Sequence, residues 1–184
     1  RIAGPEGLLM IAVLIGVCVP MFNIAAVWPM TRHAQTGLAR QLLRNPLIIA
    51  TVTGLIANLL GLGVPTWLEP TLSRIGAASL ALGLMAAGAG MQFATIARGK
   101  VLALSVLTIR HLLLPLIGWW LAVVLKLHPA QAAVLLTFSA VPTASSAYVL
   151  AARMGYNGPY VAGLVTLSTL LGVASLPFAL GLIR

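Results

Sequence analysis

The residues best placed to do chemistry lie between Thr137 and Leu150, read as Thr137-Phe138-Ser139-Ala140-Val141-Pro142-Thr143-Ala144-Ser145-Ser146-Ala147-Tyr148-Val149-Leu150. Pro142 offers no N–H to the carbonyl of Phe138 and presses against it, so a helix should kink or break there. Proline also suits the first position of a new half-helix. The amides of Thr143, Ala144 and Ser145 would then point, with the positive end of the helix dipole, at whatever lies beside the break. Counted from Gln131, Pro142 is ~16 Å along the helix, near the middle of a bilayer. Irregular backbone survives at that depth only where it is buried in protein or lines a wet cavity, and half-helix ends of this kind hold anions in secondary transporters. The plainer alternative is a kinked helix whose hydroxyls satisfy its own backbone.

Arg110 is the second anomaly. It follows Lys100 by ten positions, ~15 Å into the membrane by helical rise. An intramembrane arginine is costly and a functional candidate by default. It can instead hold carbonyls freed by Pro115 or Pro142, or pair with an acid elsewhere. His111 beside it is able to titrate near neutral pH, or simply to hydrogen-bond. Asn23 is the one strongly polar side chain of its stretch. It suits an interhelical hydrogen bond of about 1 kcal/mol or a substrate contact. No Gly-x-Ser-x-Gly or His-Glu-x-x-His pattern accompanies the serines and histidines, and aspartate is absent, which argues against an enzyme. No metal or cofactor set is legible.

These residues have to be held by elements that composition identifies. Of 184 residues, 60% are hydrophobic and 7% charged, the signature of an integral membrane protein. Glu6 and Glu69 are the only acids, so the formal charge of +9 reflects scarce acid more than abundant base. The bases stand singly between apolar runs, as membrane-flanking anchors and not as a nucleic-acid surface. Cys18 is alone and forms no internal disulfide. The chain begins at Arg1 with no signal-peptide pattern, and is expected to be part of a longer one.

Six runs have spanning length, at about residues 6–30, 46–64, 74–96, 101–126, 130–153 and 159–183. Arg32, Arg40 and Arg44, then Arg98 and Lys100, then Arg153 outweigh the bases of the intervening loops, which assigns their side to the cytoplasm. In the first run Pro20 should kink the helix and Pro29 end it. Asn45-Pro46 opens the second run and Gly61 to Pro65 closes it. Trp67 and Glu69 are expected in an outer loop. The glycine- and alanine-rich third run reads as a packing helix. Trp119 and Trp120 suit the outer boundary, and Ser168 and Thr169 lie mid-span in the sixth run. The first and sixth runs echo one another: Gly4-Pro5 against Gly158-Pro159, Gly16-Val17 against Gly172-Val173, and Pro20 with Phe22 against Pro177-Phe178. Their opposite directions would make them the closing helices of two inverted repeats.

Leu43-Arg44-Asn45-Pro46, the small-residue third run, Ile109-Arg110-His111-Leu112-Leu113-Leu114-Pro115 and above all Val141 to Ala151 resemble the auxin efflux carrier family. That family includes plant auxin carriers and bacterial permeases for malonate, malate and similar carboxylates. The resemblance covers nearly the whole chain and implies an all-α integral membrane protein. Its six transmembrane helices would be the fifth to tenth spans of a ten-helix inverted-repeat transporter with a broken crossover helix. It implies that residues 1–30 are the last helix of the first repeat, in the transport bundle, and residues 31–45 a cytoplasmic linker. Residues 46–97 would be scaffold helices forming a homodimer, and residues 98–184 the rest of the transport bundle. Val141, Pro142, Thr143, Ala144 and Ser145 would flank the site of a small organic anion, with Arg110 and, more loosely, Asn23 beside it. The implied protein is a multi-pass permease of a cell membrane, the bacterial inner membrane in the permease branch. It would work by alternating access, with the lipid bilayer and no nucleic acid as partner. Sodium-coupled bile-acid carriers, which share crossed broken helices, are the nearest rival, and a non-transporting membrane piece is the third reading.

Overall fold

The computed structural model describes residues 4–31 and 44–182. Most of the basic linker, with Arg32 and Arg40, lies outside the described residues. The chain divides into two compact units, Leu8–Leu72 and the remainder. Among the described residues every regular element is helical.

The unit Leu8–Leu72 holds most of α1 (Gly4–Thr31) and all of α2 (Pro46–Leu59). α1 contains both Pro20 and Pro29 and continues to Thr31. Pro29 therefore does not end it: so close to the end, a missing N–H frees only one carbonyl of the last turns. At α2 the Asn45 side chain accepts from the Leu47 amide at 3.0 Å, and Pro46 fills the first turn, the helix start that Asn-Pro encodes. The end is a Schellman motif, five residues short of the run's apolar limit. Gly61 takes φ +68°, Leu62 donates to the Ala57 carbonyl at 2.9 Å and Gly61 to that of Asn58 at 3.0 Å.

α3 spans Glu69–Gly90, starting in the unit Leu8–Leu72 and continuing from Ser73 in the larger one. Glu69 is thus in a helical first turn and not in a loop, because a carboxylate followed by proline suits the amino end. The third run does not continue to residue 96. Met91 and Gln92 leave the helix, and the short α4 (Phe93–Arg98) begins anew. α5 (Lys100–Thr108), a π-helical turn (Ile109–Leu113) and α6 (Leu114–Val124) follow without interruption. The fifth run is broken into α7 (Pro129–Ala140) and α8 (Ser146–Arg153). The last helix, α9 (Gly158–Gly181), opens with the Asn157 side chain accepting from the Tyr160 amide at 3.1 Å.

Among the described residues four helices are long and apolar enough to cross a membrane: Glu6–Pro29, Glu69–Gly90, Lys100–Val124 and Gly158–Gly181. The second and fifth runs form shorter apolar helices.

α9 organises the larger unit. Its buried face, Gly158, Ala162, Val165, Ser168, Gly172, Ser175 and Ala179, advances by threes and fours, which is one stripe of an α-helix. Only Val165 on that stripe has a bulky side chain, so neighbouring backbones approach closely, the usual way helices pack in lipid. α7, α8, the π-turn and α4 all pack against it. At Gly172 the approach is closest: a Cβ there would collide with the Pro142 ring.

Candidate functional site: the helix break and a histidine between two serines

The chain leaves helical geometry after Ala140 and resumes it at Ser146. Val141 is extended, at φ −58° and ψ 132°, the conformation a following proline imposes by crowding the helical one. Pro142 accordingly sits inside the break and does not open the second half-helix. That start falls four residues later, because the geometry at Val141 turns the chain out of the helix before it can re-form.

The break leaves backbone groups open. Thr143 donates its amide to Ser168 Oγ at 2.9 Å. α8 begins only when Ala147 and Tyr148 donate to the carbonyls of Ala144 and Ser145, at 3.0 and 3.1 Å. Among the described residues, the amides of Ala144, Ser145 and Ser146 have no acceptor, nor do the hydroxyls of Thr143, Ser145 and Ser146 have a partner. Val141 is 40% exposed, and Ala144 is exposed. Elsewhere the hydroxyls of Thr137, Ser139, Thr166 and Thr169 donate to carbonyls of their own helices. The alternative of a kinked helix satisfying itself therefore describes its surroundings but not the break. Unpaired amides at the start of a helix are donors suited to a carboxylate or a phosphate.

Arg110 and His111 occupy the π-turn. Pro115 has no N–H for the carbonyl of His111, and the wider turn stands immediately ahead of it, with Leu114 donating to Ile109. Such turns recur at functional sites. Arg110 is half-buried, and its Nε is buried without a hydrogen-bond partner. His111 reaches α9, with Nε2 2.8 Å from Ser168 Oγ and Nδ1 2.8 Å from Ser175 Oγ. Ser168 is fully buried and Ser175 is 8% exposed. Thr143, Ser168, His111 and Ser175 thus form one hydrogen-bonded chain from the break to the π-turn.

Of the residues singled out in the sequence, the structure brings Val141 to Ser145 together at the break, with the π-turn that carries Arg110 packed against α7 and α9. Asn23 lies on α1, in the unit Leu8–Leu72. Ser175 was not singled out. The available signal was its seven-residue spacing from Ser168, two helical turns and therefore the same face.

α3 also meets the site. Gly83, Ala87 and Gly90 share a face, and Ala87 is 1% exposed. A Cβ at Gly83 would stand 2.7 Å from Ser145 Oγ, and one at Gly90 2.8 Å from the Tyr148 hydroxyl. Gly83→Val is expected to displace Ser145 and to cost about 1–3 kcal/mol of stability by overpacking. Gly88→Val on the same helix, where a Cβ meets nothing within 4 Å, is expected to stay near wild type. Unfolding midpoints measured in detergent for both variants check this.

The sequence model of the membrane transport protein family matches residues 9–180. The chain belongs to this family. The match to this membrane transport protein family takes in the break, the π-turn and all of α2 to α8, and it accords with the auxin efflux carrier motifs. Membership, with four apolar helices of spanning length among the described residues, makes the chain a multi-pass membrane transport protein. Nothing in the match favours the sodium-coupled bile-acid carriers. No curated protein and no solved structure matches.

Proposed function

We propose that the protein is a secondary carrier that moves a small organic anion, a mono- or dicarboxylate, across the membrane by alternating access. The observation that carries this is the break at residues 141–145, with the open amides of Ala144, Ser145 and Ser146 at the mouth of α8. A carboxylate bound there would accept from these amides and from the free hydroxyls of Thr143 and Ser145, while Arg110 raises the local potential. On this reading the six apolar runs are six spans of a ten-helix, two-repeat carrier, and a second broken helix from the other repeat completes the site. Residues 98–184 and 1–30 belong to the moving bundle, with Asn23 near the anion. Residues 46–97 form the scaffold, through which two copies pair. The membrane is the cell membrane, in the bacterial case the inner one.

The test is flux of a panel of labelled carboxylates, malonate and malate among them, into proteoliposomes carrying the full-length protein. Pro142→Ala, which lets the helix continue and bury the amides, is expected to reduce flux tenfold or more. Wild-type flux in both Pro142→Ala and Arg110→Ala would defeat the site assignment.

A further inference from the structure

We infer that His111 is the proton carrier of this transporter, taking up a proton when the anion binds beside the break and releasing it when the anion leaves. The inference rests on the carrier reading above and adds the coupling ion and the residue that handles it.

A serine hydroxyl has one proton to give and two lone pairs, and a neutral imidazole has one N–H and one bare nitrogen. Ser168 Oγ already accepts from the Thr143 amide. It is also 2.8 Å from His111 Nε2, while His111 Nδ1 faces Ser175 Oγ at the same distance. The neutral ring therefore donates to one of the two serines and accepts from the other. When a second proton arrives, both ring nitrogens donate. Ser168 then accepts twice, from His111 and from Thr143, and its own proton turns to the carbonyl four residues back on α9. That is the bond its neighbours Thr166 and Thr169 already make to Ala162 and Val165.

The cluster thus accommodates either protonation state without stranding a buried group. A histidine held between a backbone carbonyl and a carboxylate would be committed to one state. A ring held between two hydroxyls is not.

Position supplies the coupling. Through Ser168, Nε2 lies within ~6 Å of the Thr143 amide, at the start of the open donors. A positive charge there attracts an anion at the break, and by linkage the anion favours the proton equally. Arg110, on the same turn, is permanently charged. Of the elements packed against the π-turn, α5 carries Lys100 at its start, ~16 Å away by helical rise, and α9 carries Tyr160 in its first turn, its hydroxyl donating to the Gly99 carbonyl. α6 and α7 carry no titratable side chain, and Tyr148 and Arg153 lie on α8. Among the described residues near the break, His111 is the group whose ordinary titration falls between pH 5 and 8.

The experiment uses the full-length protein in proteoliposomes with an entrapped pH indicator, offered malonate or malate. Wild-type protein is expected to acidify the lumen as the anion enters, and an imposed inward proton gradient is expected to drive accumulation at least tenfold. His111→Gln keeps a donor and an acceptor for the two serines but cannot become charged. It is expected to lose the proton signal and to flatten the pH profile of flux between pH 5.5 and 8. Anion flux without proton movement in the wild type overturns the inference and leaves the carrier reading standing, as does an unchanged pH profile in His111→Gln. If the wild type moves neither malonate nor malate, the carboxylate reading fails and the coupling falls with it. Should His111→Gln not fold, proton uptake by detergent-solubilised wild type on adding the transported anion gives the same decision, about one proton per anion or none.

Discussion

Arg110→Met is expected to make the empty protein more resistant to unfolding while lowering anion flux roughly ten- to a hundredfold. The guanidinium of Arg110 has its Nε buried with no acceptor, and an unpaired buried polar group costs about 1–3 kcal/mol. Methionine fills similar space without that cost and adapts to irregular gaps, so the unfolding midpoint in detergent should rise by a few degrees. The same change removes the fixed positive charge of the π-turn. A charge-assisted hydrogen bond or close ion pair with the bound anion is worth about 1.5–3 kcal/mol, which converts to roughly ten- to hundredfold in affinity. Opposite signs of the two effects are the signature of a residue kept for its ligand and not for the fold. A lowered unfolding midpoint with undiminished flux would identify Arg110 as a structural brace and remove it from the site. Arg110→Lys should recover part of the flux, because the charge returns without the planar fork.

The second large effect is expected at Gly172. Any Cβ there meets the Pro142 ring, and Pro142 is held between the extended Val141 and the Thr143 amide bonded to Ser168 on the same helix as Gly172. A side chain at 172 therefore wedges α9 away from the break and pulls Ser168 from Thr143. Gly172→Leu should cost about 1–3 kcal/mol by overpacking and leave the half-buried Thr143 amide and His111 Nε2 unsatisfied. Flux should fall below a tenth of wild type, and the proton signal should be lost with it. Gly76→Ala on α3, where a Cβ meets nothing within 4 Å, is the matched control. It should be neutral or stabilising by up to ~1 kcal/mol through helix propensity. Normal flux in Gly172→Leu would show that the proline need not stay where the structure places it.

What could be read without coordinates was set by the backbone of neighbouring residues. A proline withholds its own N–H and crowds the residue before it, so the interruption near Pro142 was legible from one position. The helix start at Asn45-Pro46 and the stop at Gly61 were equally local, since a cap is made by residues two or three apart. The membrane class followed from composition, because lipid selects apolar runs whatever they pack against. Local rules misjudged the amino end of α3, where Glu69 and Pro70 start a helix, and its other end, where Met91 and Gln92 leave it. There the apolar run continues although the helix does not.

The site itself was decided by tertiary structure. Thr143 and Ser168 are 25 positions apart, His111 and Ser168 57, His111 and Ser175 64. No local propensity specifies such pairs. They form because the glycine, alanine and serine face of α9 lets the π-turn and the break approach its backbone. Of the amides expected to face an anion, that approach consumes the one on Thr143 and leaves those of Ala144 and Ser145 open. It also turns a histidine that in sequence was one hydrogen-bonding side chain among several into the link between the π-turn and α9. The sequence by itself determined that the helix must open at the proline, because that depends on one missing hydrogen. Which donors remained after it opened depended on helices meeting across the unit, and that only the three-dimensional packing decided.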